Sequence, residues 1–230
     1  MILKPKNNGV NSMLKLLIFA IILLYSSITS AQPFIVSVIG DSMAHPIGVQ
    51  LQEIGRRNTG SLIVYRNAIG SSGLAQNDIV NWRVEAARRL RQQSPDIVII
   101  VLGTNDAVGI DNYPFESEGW SRLYSQRVRE MLDIAQRHSR FVYWVGVPPM
   151  RNENFSIRIS RVNETIRNTM RNRRNTQFIN VWENFNGAFV EFFRGQRIRE
   201  TDGIHYTHAG ARQIAQQLAF VIPFQLSMIQ

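Results

Sequence analysis

Gly40-Asp41-Ser42, Gly103-Thr104-Asn105-Asp106 and Asp202-Gly203-Ile204-His205 lie far apart in the chain, yet together they hold the parts of an acyl-transfer site. Ser42 offers a hydroxyl, which attacks an ester only when a neighbouring base takes its proton. His205 is the candidate base. Asp202, three residues earlier, can accept the imidazole Nδ1–H, fix the tautomer and stabilise the cation that forms. Gly203 between them permits the tight turn this spacing needs. The oxygen that becomes negative during attack requires donors already in place. Asn105 brings a side-chain N–H, the Ser42 backbone N–H is a second donor, and a glycine of Gly70-Ser71-Ser72-Gly73 supplies a third. Taken singly, Ser42 reads as a helix cap, Asn105-Asp106 as a loop pair and His205 as a structural histidine. Three blocks in this order argue for chemistry.

The elements that must position these residues are visible as a pattern. Five apolar runs, Phe34–Ile39, Leu62–Tyr65, Ile97–Leu102, Phe141–Val147 and Gln177–Val181, are mostly continuous rather than alternating, as in strands covered on both faces. Between them, 47–57, 79–92, 120–138, 157–173 and 209–222 carry apolar residues at helical spacing. In the second helix the expected stripe is Val80, Val84, Ala87 and Leu90; in the third it is Leu123, Val128, Met131, Leu132 and Ala135. Alternating strands and helices predict a parallel sheet with helices on both faces, a three-layer α/β/α sandwich. Ligands in such sheets bind beyond the carboxyl ends of the strands, where Ser42 and Asn105 both fall. Residues 112–120 read as a loop over the site, and 184–199, rich in Phe, as a short helix or a lid. Thr207 is placed to cap the last helix.

The three blocks resemble those of the SGNH hydrolases, also called the GDSL-like lipase and esterase superfamily. That resemblance covers Ile35 to about Leu218. It implies a flavodoxin-like five-stranded parallel sheet, Ser42 as nucleophile, His205 and Asp202 completing a triad, and an oxyanion hole of Ser42, Gly73 and Asn105. The block between Asn67 and Gly73 is about one residue longer than the family pattern, which makes Gly73 the expected donor and Gly70 the alternative. Trp144 to Arg151, with Trp120, Tyr124 and Val181-Trp182, resembles a narrower secreted bacterial subgroup labelled a domain of unknown function. Superfamily relatives in that compartment often act on O-acetyl groups of cell-envelope polysaccharides.

Other residues invite functional readings. Trp120 is a candidate for stacking on a sugar ring, whereas Trp144, inside a strand, reads as core. Arg151 follows Pro148-Pro149 at a strand exit, where it can face substrate or solvent. His45 and His208 lack the spacing of a ligand set, so no metal or organic cofactor is expected. Asp41 and Asp106 read as acceptors that fix loops.

The chain of 230 residues, 44% hydrophobic and 19% charged, suits one globular domain. Lys4, Lys6 and Lys15, the apolar run Leu16–Tyr25, and small residues ending at Ala31 read as a secretory signal peptide over 1–31, leaving a hydrolase domain at 32–230. The competing reading is an uncleaved membrane anchor; the uncharged stretch Leu16–Ala31 is shorter than the ~20 residues that span a bilayer, which favours cleavage, and no stable membrane insertion is expected after it. A periplasmic or secreted location follows. Cysteine is absent, which excludes disulfides, thiol nucleophiles and thiolate metal sites. The net charge is +9, and removing the three leader lysines leaves +6, with every remaining basic residue an arginine. Arginine suits an anionic polymer or membrane surface as neighbour, but scatter over helices favours solvated faces, and nothing resembles a nucleic-acid-binding motif. The expected partner is an acylated small molecule or envelope polysaccharide. The competing readings are a non-catalytic envelope glycan-binding protein and a lipase or thioesterase for long chains.

Overall fold

The computed structural model describes residues 33–58 and 62–228. The segment read as a leader lies outside them. Five strands, β1 (Phe34–Gly40), β2 (Leu62–Ala68), β3 (Ile97–Val101), β4 (Phe141–Val145) and β5 (Thr176–Ile179), form one parallel sheet in the order β2-β1-β3-β4-β5. Central β3 shows why the runs are continuous. Ile97, Ile99 and Val101 face one helical layer, Val98, Ile100 and Leu102 face the other, and all six are buried.

Helices α1 (Ala44–Asn58) and α5 (His208–Met228) pack together on one face, where Ile47 and Leu51 of α1 share one buried cluster with Ala211, Ala215 and Leu218 of α5. Helices α2 (Trp82–Gln93), α3 (Glu118–His138) and α4 (Glu153–Met170) cover the other. A 3₁₀ turn (Trp182–Phe185) and a small hairpin, β6 (Phe192–Phe193) with β7 (Gln196–Arg197), occupy the region expected to be a helix or lid. Among the described residues no helix is long and apolar enough to cross a membrane.

Side-chain caps set the helix starts, which periodicity misplaced. Asn81 accepts from the Arg83 N–H and starts α2 at Trp82, three residues later than expected. Asn152 accepts from Phe155 N–H and starts α4 four residues earlier than expected. The stripe of α2 is therefore rephased: Trp82, Ala86 and Leu90 are buried, while Val84 is 66% exposed. Thr207 caps α5 as expected, its Oγ1 accepting from Gly210 N–H at 3.2 Å.

Candidate active site

The strand order reverses between β1 and β3, which opens a crevice at their carboxyl ends. Ser42 leaves β1 into this crevice just ahead of α1, and Asn105 leaves β3 beside it. The loop that precedes α5 brings the third block to the same place. Ser42 Oγ lies 2.8 Å from His205 Nε2, across 163 residues of chain. His205 Nδ1 lies 2.6 Å from Asp202 Oδ2.

Asp202 is fixed by its own turn: its Oδ1 accepts from the N–H groups of Ile204 at 2.7 Å and His205 at 3.0 Å. Gly203 at φ 72° makes that turn, as the spacing required. Desolvation works to raise the Asp202 carboxyl, but the ring and backbone hydrogen bonds of His205 and Ile204 and the imidazole's charge outweigh it. The carboxyl is held at about 2. A permanent carboxylate can only accept, so Nδ1 carries the proton and the Nε2 lone pair faces the Ser42 hydroxyl. The two side chains remain 45% and 40% exposed for Asp202 and His205, so the pair is solvated.

Two of the expected donors, Gly73 and Asn105, line one cleft. Asn105 Nδ2 donates one hydrogen to Ser72 C=O at 2.9 Å, which orients the amide and leaves the second hydrogen for a ligand. The backbone N–H groups of Ser42 and Gly73 donate to no group among the described residues. A side chain at 73 would put its Cβ 2.2 Å from Asp106 Oδ1, whereas one at 70 would meet nothing within 4 Å. Position 73 alone of the two therefore demands glycine for close packing. A cleft of about 290 Å³ opens beside it, lined by Gly73, Thr104, Asn105, Gln76, Asp78, Val108 and Phe155 among others. Residues 112–117 do form a loop, though Val108, not that loop, reaches the cleft.

Beneath these donors lies a charged network in which Asp106 fixes a loop, as its sequence reading expected, and Arg127 is the member the sequence did not single out. Asp106 Oδ1 accepts from the N–H groups of Leu74 and Ala75 at 2.6 and 2.8 Å, and its Oδ2 accepts from the Tyr124 hydroxyl at 2.8 Å. Arg127 of α3 donates to the carbonyls of the same two residues at 2.8 and 2.7 Å. One dipeptide next to Gly73 is thus gripped on both sides. Burial raises the Asp106 carboxyl, and these donors and the Arg127 charge oppose it. Asp41 is fully buried; Met43 N–H donates to its Oδ1, its Oδ2 has no hydrogen-bond partner among the described residues, and burial pushes its carboxyl up to about 7. Arg199, also buried, donates to Pro149 C=O at 2.9 Å and Ile204 C=O at 2.6 Å, tying the histidine loop to the exit of β4. The available signal for Arg127 was a charge within the apolar stripe of Tyr124, Val128 and Met131 on α3.

Two expected substrate contacts are corrected. Trp120 is 1% exposed, stacks on Tyr124 at 4.8 Å and donates its indole N–H to Val108 C=O, so no sugar reaches its ring. Arg151 spends its guanidinium on Glu191 Oε2 and Thr201 C=O, both at 2.6 Å, and so braces the loop before Asp202. Trp144 is core, with its indole N–H bonded to Leu102 C=O at 3.0 Å. His45 and His208 are exposed, and no group of three His, Asp or Glu suited to a metal occurs among the described residues.

Residues 35–220 match the family described as protein of unknown function (DUF459). The chain belongs to that family. The fold is shared by solved hydrolases. An α/β hydrolase from the metagenome of Lake Arreo, Spain, aligns at TM-score 0.61 and 16% identity, over 80% of this chain and 93% of its own. A variant of an acetyl xylan esterase from Geobacillus stearothermophilus aligns at TM-score 0.61 and 12% identity, over 80% and 92%. A carbohydrate esterase family 3 protein from Talaromyces cellulolyticus aligns at 0.56 and 17%, over 85% and 98%. No curated protein matches the chain in sequence. These likenesses establish the DUF459 chain's architecture; its chemistry is argued from its own residues.

Proposed function

We propose that this DUF459 protein is a serine carboxylic ester hydrolase of the SGNH type, acting in the periplasm or outside the cell on O-acetyl groups of envelope glycans. The observation that carries the reading is the relay from Ser42 Oγ to His205 Nε2 at 2.8 Å and from Nδ1 to Asp202 at 2.6 Å. In it, Ser42 Oγ attacks the ester carbonyl carbon as its proton passes to Nε2. The oxyanion is held by the N–H groups of Ser42 and Gly73 and the free hydrogen of Asn105 Nδ2. Asp202 stabilises the imidazolium, which returns the proton to the leaving alkoxide. Water, deprotonated by His205, then cleaves the acyl-serine and releases the acid. A sugar hydroxyl in place of water gives transfer.

A short acyl group is favoured over a long chain by the small cleft beside Gly73 and Asn105, about 290 Å³, whose lining mixes Gln76, Asp78 and Thr104 with Ala107, Val108 and Phe155. The fold neighbours, an acetyl xylan esterase and a carbohydrate esterase among them, point the same way for the glycan. The test compares wild type with Ser42→Ala on p-nitrophenyl acetate and octanoate, with fluorophosphonate labelling mapped by mass. Acetate hydrolysis lost in Ser42→Ala and label on Ser42 support the reading. Equal background in both proteins supports a binding protein instead, and preference for octanoate a long-chain enzyme. Acetate release from O-acetylated glycans identifies the acceptor.

A further inference from the structure

The arginine excess is not spread evenly in space. A groove of about 690 Å³ runs between α1 and α5, and Arg56, Arg57, Arg66, His208 and Arg212 line it. These residues come from three separate elements: α1, the edge strand β2 and the first turns of α5. Glu53 is the only carboxylate among the lining residues, and it is taken by Arg57 at 2.8 Å and Arg56 at 3.7 Å. Arg66 and Arg212 bond to no acceptor among the described residues, unlike Arg83, Arg88, Arg89, Arg151 and Arg197, each of which holds a carboxylate. In the chain its lining residues lie near those of the candidate site: His208 follows His205 by three residues, and Val49 follows Ser42 by seven.

We propose that this groove docks an anionic chain polymer, one whose carboxylate or phosphodiester groups recur along its length, with the polymer continuing past Ser42. Guanidinium groups grip both kinds of oxyanion in a bidentate fork. A concave groove suits a narrow chain. A membrane surface, by contrast, is flat and calls for protruding apolar side chains, and the apolar lining here is limited to Val49 and Ala209. The proposal deepens the glycan-esterase reading by naming the charge class of the polymer. It rests on that reading only for the choice of an envelope polymer as occupant.

The test is direct binding of unesterified probes, measured by calorimetry on wild type and on Ser42→Ala, so that it is independent of hydrolysis. The probes are hexagalacturonate, a glycerol-phosphate hexamer and neutral xylohexaose. At least one anionic hexamer should bind both proteins, more weakly as salt rises. Xylohexaose should bind at least tenfold more weakly. The double variant Arg66→Ser/Arg212→Ser should lose about tenfold in affinity, the sum of two good surface charge contacts. Arg129→Ser/Arg137→Ser, which removes the same charge from α3, should bind as wild type. The better anionic probe tells carboxylate from phosphodiester. Absence of binding by both anionic hexamers, equal binding of xylohexaose, equal loss in the two double variants, or binding confined to phosphatidylglycerol vesicles would each overturn the proposal. Failure of the esterase reading alone would instead appear as intact hexamer binding by a wild type that cleaves no ester.

Discussion

Asp202→Asn tests the relay most sharply. Asn keeps an oxygen for the Ile204 and His205 N–H groups, so the turn survives. The other arm changes: an amide N–H now faces Nδ1, which favours the tautomer protonated on Nε2, and Ser42 can no longer donate there. The imidazolium also loses its counter-charge. With charge centres roughly 4 Å apart, that charge is worth about 1 kcal/mol in water and about 4 kcal/mol near a protein surface. The side chains are 45% and 40% exposed, so a value between these limits, about 2–3 kcal/mol, applies. Adding the tautomer penalty gives a fall in kcat/KM of about 10²–10³, less than the ~10⁴ typical of a buried triad aspartate. The assay is kcat/KM on p-nitrophenyl acetate with wild type, Asp202→Asn and Ser42→Ala, circular dichroism verifying the fold. A folded Asp202→Asn variant within about fivefold of wild type would refute the assigned role, because even the aqueous limit predicts more.

Gly73→Ala should lose activity by about 10²-fold or more, because its Cβ meets Asp106 at 2.2 Å and displaces a donor, while Gly70→Ala, in open space, should stay near wild type; the reverse order in a p-nitrophenyl acetate assay would move the donor to Gly70. Trp120→Ala should cost about 3–5 kcal/mol in urea unfolding, as removal of a buried aromatic does; a glycan KM effect with unchanged stability would restore Trp120 to the binding surface. Asp41 has a folded pKa raised to about 7 from 3.8, so the folded state favours its protonated form. Stability should therefore fall as pH rises from about 4 to 7, by on the order of 4 kcal/mol, and Asp41→Asn should flatten that slope. Urea midpoints across this range that move equally in both proteins would contradict it.

The strands and the chemistry-bearing blocks were legible because each depends on local sequence. Apolar runs need only burial on both faces, and a DxxH turn is made by its own residues. The helix starts and some stripes were not legible. Asn81 and Asn152 outrank periodicity by capping, and Trp120 belongs to a stripe with Tyr124 and Val128 that becomes visible once Ser117 starts α3. The buried charges were the least legible. Arg127 is held by carbonyls more than fifty residues away and Arg199 by one carbonyl fifty residues away and another five away, and no spacing rule announces which peptide a guanidinium will meet. Arg151 shows the same limit: its carboxylate, Glu191, comes from an irregular segment whose course only the folded chain defines.

The imidazole and its aspartate stand at an open rim, not at the bottom of a shaft. A threadlike molecule can therefore lie across them sideways, and decorations midway along it are as reachable as those at its tips. On the proposed esterase reading, release of products need not begin from either terminus, and a short oligomer and its parent thread should be stripped in the same scattered order.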